Sequence, residues 1–173
     1  MTISDFKDIH SHTPGEGRVL SVDIADPGDV ARLAESQYFT VGVHPWHADA
    51  EVDWALFMKL LASPCCVGIG ECGLDRRRGP AMDVQERVLR RQLDIAAEAH
   101  VPVVLHIVGA LDHLLALRKE YGCDELWIVH GFRGKAATAR QLAAAGIGIS
   151  LGVRFNADVP DAVDSALIYR ETD

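Results

Sequence analysis

The sequence predicts an α/β fold, a TIM-type (β/α)8 barrel in a short version that lacks a full first helix and the eighth helix. Three observations support this prediction: short apolar, β-branched segments recur eight times, most of them alternate with helical patterns, and the strand-like segments are apolar almost throughout. Strands that alternate with helices are typical of parallel βαβ units. Nearly continuous apolar strands are typical of a sheet that is covered on both faces.

The predicted elements follow one another along the whole chain. The eight predicted strands cover residues 6–12, 18–25, 38–45, 66–75, 101–108, 126–132, 147–152 and 167–173. Helices are predicted over residues 26–36, 50–63, 83–100, 110–122 and 135–146, with a weaker short helix over 156–165. Asp26 and Pro27 are typical of a helix start, and Gly122 and Gly146 are typical of helix ends.

The chain is short for such a barrel, because 173 residues compare with about 250 in a typical one. Residues 13–17, TPGEG, separate the first two predicted strands and are too few for a crossover helix. The sequence stops at Asp173, at the end of the eighth strand, so we expect either a truncated form or a fragment. We predict one domain, 1–173, in which the outer faces of the eighth, first and second strands are bare. A bare apolar wall predicts a homo-oligomer or marginal stability.

Composition narrows the class of protein. The formal net charge of −8 disfavours a protein that coats nucleic acid, whose affinity comes from neutralising phosphates. No apolar run is long enough to span a bilayer, and the N-terminus has no signal-peptide core. The four cysteines, Cys65, Cys66, Cys72 and Cys123, form no CxxC pair, and free thiols fit a reducing compartment. The sequence therefore predicts a cytoplasmic protein without a membrane partner.

Polar side chains interrupt the predicted strands near their carboxyl ends, where the chemistry of (β/α)8 barrels is located. His10 and His12 lie two residues apart, so a strand places both on one face. A carboxylate inside an apolar strand, such as Glu71, needs a cation or hydrogen bonds. The predicted ligands of one or two divalent ions are His10, His12, Glu71, His106, His130 and Asp173. Mixed imidazole and carboxylate ligands suit zinc, manganese, nickel, iron or magnesium.

Each of these histidines, taken singly, could instead be a satisfied core histidine, and only their convergence favours a metal centre. Glu71 could bridge two ions, because a carboxylate offers two oxygens whereas an imidazole offers one lone pair. His47 lies at the start of a loop, and either interpretation stays open for it. His100 and His113 lie in helical patterns and are expected at the surface.

Further residues at the same mouth are predicted to contact a substrate: His44, Trp46, Arg76, Arg77, Arg133 and Arg154. Trp46 could stack on a base or pack the third loop. The arginine run at 76–78 could be a solvated face or a site for phosphate or carboxylate. Gly68, Gly70 and Gly73 are expected to permit close backbone approach near Glu71.

The order of these motifs resembles that of the TatD-related metal-dependent hydrolases, which belong to the amidohydrolase-like barrels. The matching segments are DIHSH, GVHPW, GIGECGLD, PVVLHIVGA, VHGFRG, GIGISLG and YRETD, from Asp8 to Asp173. The resemblance implies a (β/α)8 fold and a centre of one or two metal ions. It implies that one ion is held by His10, His12, Glu71 and Asp173, and the second by Glu71, His106 and His130. Members are mostly described as deoxyribonucleases, often with exonuclease activity.

The sequence departs from this family at several places. Ile107 and Val108 follow His106, where the family usually has a small polar residue and an arginine that contacts phosphate. Arg133 stands where the family commonly has serine, and it could partly compensate for the lost arginine. The first crossover is very short, and the family's sequence normally continues beyond ETD into a final helix.

The predicted function is that of a divalent-metal-dependent hydrolase of the phosphodiesterase or DNase type, with DNA ends or a small phosphoester as substrate. Metal binding lowers the pKa of a water molecule from about 15.7 to about 7 in favourable sites. Asp173 is the predicted general base, and Glu71 is the second catalytic residue. Three alternatives stay open: a hydrolase of small amides or esters, a PHP-type phosphoesterase, and a degenerate barrel that binds metal or a partner without catalysis. The segment DIHSHTPGEG also resembles the opening of the PHP-type family.

Overall fold

The computed structural model describes residues 2–122 and 125–173, so Cys123 lies outside the described residues. Eight strands form one sheet whose order follows the sequence, and each pairs in parallel with the next. The strands are Asp8–Ser11 (β1), Arg18–Asp23 (β2), Tyr38–Gly42 (β3), Cys66–Asp75 (β4), Val103–Val108 (β5), Trp127–Val129 (β6), Ile147–Leu151 (β7) and Ile168–Arg170 (β8). Thr172 donates hydrogen bonds to Asp8 from its backbone N–H and its hydroxyl, which brings the end of β8 to β1. The predicted barrel is confirmed.

All five helices predicted between the strands are present. They are Pro27–Arg32 (α1), Trp54–Leu61 (α2), Met82–Ala99 (α3), Leu111–Tyr121 (α4) and Ala136–Ala144 (α5). The Asp26 side chain accepts a hydrogen bond from the backbone N–H of Gly28 at 2.8 Å and caps α1 as expected. Gly122 ends α4 with a φ of 49°, a left-handed conformation that glycine adopts readily. No helix in the described ranges is long and apolar enough to cross a membrane.

The prediction of a short helix over 156–165 is wrong. Two separate 3-10 turns, Pro160–Ala162 and Ser165–Leu167, occupy this connection. Val163 between them is extended, and the Asp164 side chain accepts a hydrogen bond from the N–H of Ala166 at 2.9 Å. Asp164 therefore caps the start of a second turn, and the extended Val163 before it interrupts any continuous helix.

Apolar side chains form two cores, one on each side of the barrel wall. One cluster takes residues from five different strands, so it lies inside the barrel: Ile9, Val19, Val67, Val104 and Ile128, together with Ile3. On β5 and β6, the alternating neighbours Val103, Leu105 and Trp127 belong to the larger cluster between barrel and helices. The interior cluster fills the amino-terminal half of the barrel, which leaves the carboxyl-terminal half for polar side chains.

The prediction of a bare wall over the eighth, first and second strands is wrong for two of the three strands. Every residue of β1 is buried, and Leu20 and Val22 of β2 are packed in the core beside α1. Ile3, in the 3-10 turn Ile3–Asp5, packs into the interior cluster. Only β8 stays partly open, along a groove that it shares with Phe6 and Lys7. The homo-oligomer predicted through this wall stays a prediction, with the groove along β8 as the part of the wall that is left open for it.

Candidate metal centre

A bulge in β4 places Glu71 in the barrel. Ile69 pairs with Val103 and Cys72 with Leu105, so β4 carries one residue more than β5 over this interval. Gly73 has a φ of 152°, and a Cβ there would lie 1.9 Å from the carbonyl oxygen of His106. The predicted close backbone approach is thus present beside Glu71, which is itself 4% exposed.

One oxygen of Glu71 lies between three imidazoles. Its Oε1 lies 2.7 Å from His106 Nδ1, 2.7 Å from His130 Nε2 and 3.1 Å from His44 Nε2. The two ring nitrogens of His106 and His130 are themselves 3.3 Å apart. This short separation means that a proton or a cation must lie between these groups, since neutral nitrogen lone pairs would repel one another.

The other oxygen of Glu71 faces the histidines at the end of β1. Its Oε2 lies 3.4 Å from the Nε2 atoms of both His10 and His12. His12 Nε2 is also 3.3 Å from one oxygen of Asp173, whose second oxygen lies 3.9 Å from His130 Nδ1. The pair of imidazoles predicted to share a face of β1 therefore meets the carboxylates of β4 and of the segment after β8.

All six residues predicted as ligands lie in this one cluster. Their candidate ligand atoms, with those of His44 and Glu171, form four groups within 4.8 Å: His10, His12 and Asp173; His10, Glu71 and His130; His44, Glu71 and His106; His130, Glu171 and Asp173. Within the described residues, both ring nitrogens of His10 and Nδ1 of His130 are buried without a hydrogen-bond partner. Buried polar atoms of this kind are costly unless something binds them. The donor set therefore fits a divalent cation.

Electrostatics in the cluster favour a charged carboxylate. Burial raises the pKa of Glu71, but the charge of His130 and the close contacts of His10, His106 and His12 bring the pKa well below its ordinary value. For His130, burial lowers the pKa, but the Glu71 carboxylate outweighs it and raises the pKa to about 9. In the metal-free state this pair therefore carries a shared proton that a bound cation must displace.

His44 was predicted to bind substrate, and the structure places it in the cavity wall against Glu71 and the backbone of Trp46. Its Nδ1 accepts a hydrogen bond from the backbone N–H of Trp46 at 3.2 Å. A neutral imidazole that accepts at Nδ1 carries its proton on Nε2, so His44 donates to Glu71 Oε1 at 3.1 Å. His44 thereby orients the carboxylate, as outer-shell partners do for metal ligands.

Trp46 lies beside Asp75, a carboxylate at the end of β4 that was not assigned a role from the sequence. The indole N–H of Trp46 donates to Asp75 Oδ2 at 2.8 Å, and the same oxygen lies 3.3 Å from His106 Nε2. Asp75 thus orients His106 from the side opposite Glu71. The guanidinium of Arg78 lies 3.5 Å from the centre of the Trp46 ring, so one face of the indole is already covered.

The predicted substrate-binding arginines divide into two groups. Arg76 forms an exposed ion pair with Asp112 at 3.0 Å, and Arg77 is exposed on the same loop. Arg133 and Arg154 line a cavity of about 230 Å³ next to Glu171 and Asp173. Neither of these two has an ion-pair partner among the residues that the structure describes. They are therefore available to bind an anion beside the cluster.

The cluster opens into a larger cavity of about 440 Å³, and several of the residues around it were not assigned from the sequence. Asp23, at the end of β2, accepts a hydrogen bond from His47 Nδ1 at 2.6 Å. Glu171, which lines the smaller cavity, was likewise not assigned; it is 6% exposed and accepts a hydrogen bond from the Ser150 hydroxyl. Asp23 interrupts an apolar strand just as Glu71 does, so the same rule applied to RVLSVDIA would have found it.

An eight-stranded parallel barrel whose strand ends gather five imidazoles around one buried carboxylate has the fold and site of the metal-dependent hydrolase class. The chain belongs to the TatD related DNase family, whose sequence model matches residues 19–173. The resemblance seen in the sequence is therefore confirmed. This membership does not favour the amidase, PHP-type or non-catalytic alternatives.

Three named relatives match about two thirds of this chain. The uncharacterized metal-dependent hydrolase YabD of Bacillus subtilis (strain 168) is 33% identical over 120 residues, which cover 66% of this chain and 47% of the relative. The 3'-5' ssDNA/RNA exonuclease TatD of Escherichia coli (strain K12) is 35% identical over 130 residues, 70% of this chain and 48% of the relative. The protein of the same name from Pantoea sp. (strain At-9b) is 40% identical over 131 residues, 70% of this chain and 49% of the relative. The chain thus spans about half the length of the curated relatives it matches.

Two solved structures have the same architecture. YJJV, a TATD homolog from Escherichia coli K12, matches 90% of this chain and 66% of its own with a TM-score of 0.73 and 25% identity. A TatD family hydrolase from Entamoeba histolytica matches 90% of this chain and 60% of its own with a TM-score of 0.75. At 20% identity, the second likeness shows the fold alone.

Proposed function

We propose that this protein is a divalent-metal-dependent phosphodiesterase that acts on the ends of single-stranded nucleic acid. The observation that carries the proposal is the buried Glu71 carboxylate with five imidazoles around it at the open end of the barrel. Relatives named 3'-5' ssDNA/RNA exonucleases support the substrate class. A small phosphoester is the other substrate that the same site could take.

The proposed ligands are those predicted from the sequence. His10, His12, Glu71 and Asp173 would hold one ion, and Glu71, His106 and His130 the second. The orphaned ring nitrogens of His10 and His130 support this assignment, because a cation would satisfy them. Bound ions of this type activate water and stabilise negative charge on phosphoryl oxygens.

Residues of the chain would supply the remaining catalytic functions. Asp173 is the proposed general base, because its carboxylate faces both His12 and His130 at the cavity wall. Glu71, the second proposed catalytic residue, would supply negative charge to the centre, with Oε1 facing His106 and His130 and Oε2 facing His10 and His12. His44 and Asp75 would keep Glu71 and His106 in place through the hydrogen bonds described above.

Arg133 and Arg154 are the proposed phosphate contacts. They line the smaller cavity, and Asp173 lines both cavities, so a phosphate bound there would lie next to the cluster. Two guanidinium groups without carboxylate partners suit bidentate phosphate binding. Arg76, Arg77 and the uncovered face of Trp46 would contact the substrate farther out.

We also propose that the protein acts in the cytoplasm. Cys65, Cys66 and Cys72 are free thiols, which is typical of a reducing compartment. Burial raises the pKa of the Cys66 thiol to about 11, so this thiol is unreactive rather than a redox site.

The test of this function is cleavage of a single-stranded oligonucleotide, labelled at either end, by metal-reconstituted protein. We expect stepwise shortening from one end, and no turnover of amides. Glu71→Gln should lower kcat/KM by more than about 100-fold, beyond the roughly 10–100-fold typical of outer-shell changes. Glu98→Gln, on the exposed face of α3, is the matched control. Full activity in Glu71→Gln, or no cleavage of any phosphodiester by the wild type, would contradict the proposal.

A further inference from the structure

Asp23 and His47 form a carboxylate–imidazole pair that the assignments above leave without a role. Asp23 ends β2, and His47 ends the 3-10 turn Pro45–His47 that follows β3. The Asp23 Oδ2 to His47 Nδ1 distance is 2.6 Å, which is short for a nitrogen–oxygen hydrogen bond and typical of a charged acceptor. The pair lies in the wall of the larger cavity, together with Glu71, His106 and Asp173.

The carboxylate of Asp23 is fixed on both of its oxygens. Its Oδ1 accepts a hydrogen bond from the backbone N–H of Ala25 at 3.0 Å, while Oδ2 accepts from His47. The backbone N–H of Asp23 donates in turn to Asp29 Oδ2 at 3.2 Å. With 7% of its surface exposed, Asp23 is a rigid partner that holds one orientation of the His47 ring.

The other nitrogen of His47 is free to reach a substrate. Because Nδ1–H donates to Asp23, the ring presents Nε2 on its opposite side. Within the described residues, Nε2 of His47 has no hydrogen-bond partner, and its side chain is 45% exposed. A free imidazole nitrogen, oriented by a buried carboxylate and adjoining a cluster of ligand residues, has the arrangement of a proton-transfer group.

We propose that His47 is the general acid that protonates the leaving oxygen, and that Asp23 is its positioning residue. This inference rests on the proposed phosphodiesterase function and adds a catalytic residue to it. The chain supplies a general base, Asp173, on one side of the cluster, and His47 adds the acid that the base alone does not provide. Phosphodiester hydrolysis with an alcohol leaving group needs both proton transfers.

The proton and electron balance of the step is complete. Water attacks phosphorus and gives one proton to Asp173, so a new P–O bond forms. The bond between phosphorus and the ester oxygen breaks, and that oxygen takes the Nε2 proton of the His47 imidazolium with the electron pair of the broken bond. Neutral His47 then regains a proton from solvent while Asp173 releases one, so diester and water become monoester and alcohol.

The test compares two substrates that differ in their need for an acid. The dinucleotide TpT releases an alkoxide that must be protonated, whereas thymidine p-nitrophenyl phosphate releases p-nitrophenolate, which leaves without a proton. We expect His47→Gln to lower kcat/KM on TpT by about 100-fold or more and on the nitrophenyl ester by only about fivefold or less. Asp23→Asn should also lower kcat/KM on TpT more than on the nitrophenyl ester, but by a smaller factor than His47→Gln. The matched control is His113→Gln on α4, whose ring contacts Glu86 on the outside of the barrel.

The outcomes separate this inference from the proposed function. A selective loss on TpT supports the general acid, because a structural change would slow both substrates alike. Equal losses on both substrates, or no loss on TpT, overturn the role of His47 and leave the phosphodiesterase proposal intact. A wild-type protein that cleaves neither diester with any added divalent ion overturns the proposed function and this inference with it.

Discussion

Glu71 is the residue around which the candidate centre is arranged, and the sequence predicted it for a physical reason. A carboxylate in the apolar segment VGIGECG cannot be buried without compensation, and five imidazoles supply that compensation in the structure. The tautomer of His44 could not be predicted, because it depends on a backbone N–H that donates to its ring. Sequence patterns identify ligand types, whereas tautomers depend on contacts that only the folded chain provides.

The Glu71–His130 pair predicts how the stability of the metal-free protein varies with pH. Burial opposes the shift, but the Glu71 carboxylate raises the pKa of His130 from 6.5 to about 9. A raised pKa stabilises the folded state fully below pH 6.5 and ceases to do so as the pH rises through about 9. Glu71, whose pKa is lowered from 4.5, contributes stability above that pH and loses it as the pH falls.

We therefore expect the melting temperature of chelator-treated protein to decline as the pH rises from 6.5 to about 9. Calorimetry in a chelating buffer measures this decline directly. Glu71→Gln removes the charged partner of His130, so the decline should largely disappear in that variant. Stability that increases steadily through this range in the wild type would show that the pair is not charged.

At the scale of the element, all eight strands and the five helices between them were predictable, because their apolar periodicity is long enough to detect. The bulge in β4 was not predictable, although Gly70 and Gly73 indicated a close backbone approach beside Glu71. The 3-10 turn Ile3–Asp5 has three residues and no periodicity, so the packing of Ile3 into the interior cluster was not predictable either. The helix predicted over 156–165 failed because Asp164 begins a turn of its own.

The bulge in β4 also predicts a sensitive glycine. Gly73→Ala would place a Cβ 1.9 Å from the carbonyl oxygen of His106 at a φ of 152°, so the strands must separate. We expect a loss of at least about 2 kcal/mol in the free energy of unfolding, with weaker metal binding because His106 moves. Denaturant titration with a parallel metal-binding isotherm measures both effects.

Gly152→Ala is the matched control for this variant. A Cβ at Gly152 would meet no atom closer than 3.5 Å, and its backbone is not left-handed. Its unfolding free energy should stay within about 1 kcal/mol of the wild type. Equal stability of the two alanine variants would show that β4 and β5 are less closely apposed than the structure has them.

At the scale of the whole molecule, a net charge of −8 means that attraction to nucleic acid must be local. If Arg133 and Arg154 neutralise two phosphates, log KM for a single strand should rise with log salt with a slope of about 1.4, at about 0.7 per phosphate. Arg133→Gln should reduce the slope to about 0.7. Arg140→Gln, on the exposed face of α5, is the control that should leave it unchanged. A steep salt dependence of log KM that is unchanged in Arg133→Gln would show that the phosphate contact lies elsewhere.

The strand ends of the barrel meet at the cluster around Glu71, and the central claim is that this cluster binds divalent metal. The most direct measurement is the metal content of protein purified without chelator, by elemental analysis, with equilibrium dialysis against zinc and manganese. We predict at least one tightly bound ion per chain, which should be lost in a His10→Ala/His130→Ala double variant that still folds by circular dichroism. A folded wild-type chain that retains no stoichiometric ion after dialysis, or a double variant that binds metal as tightly as the wild type, would contradict it.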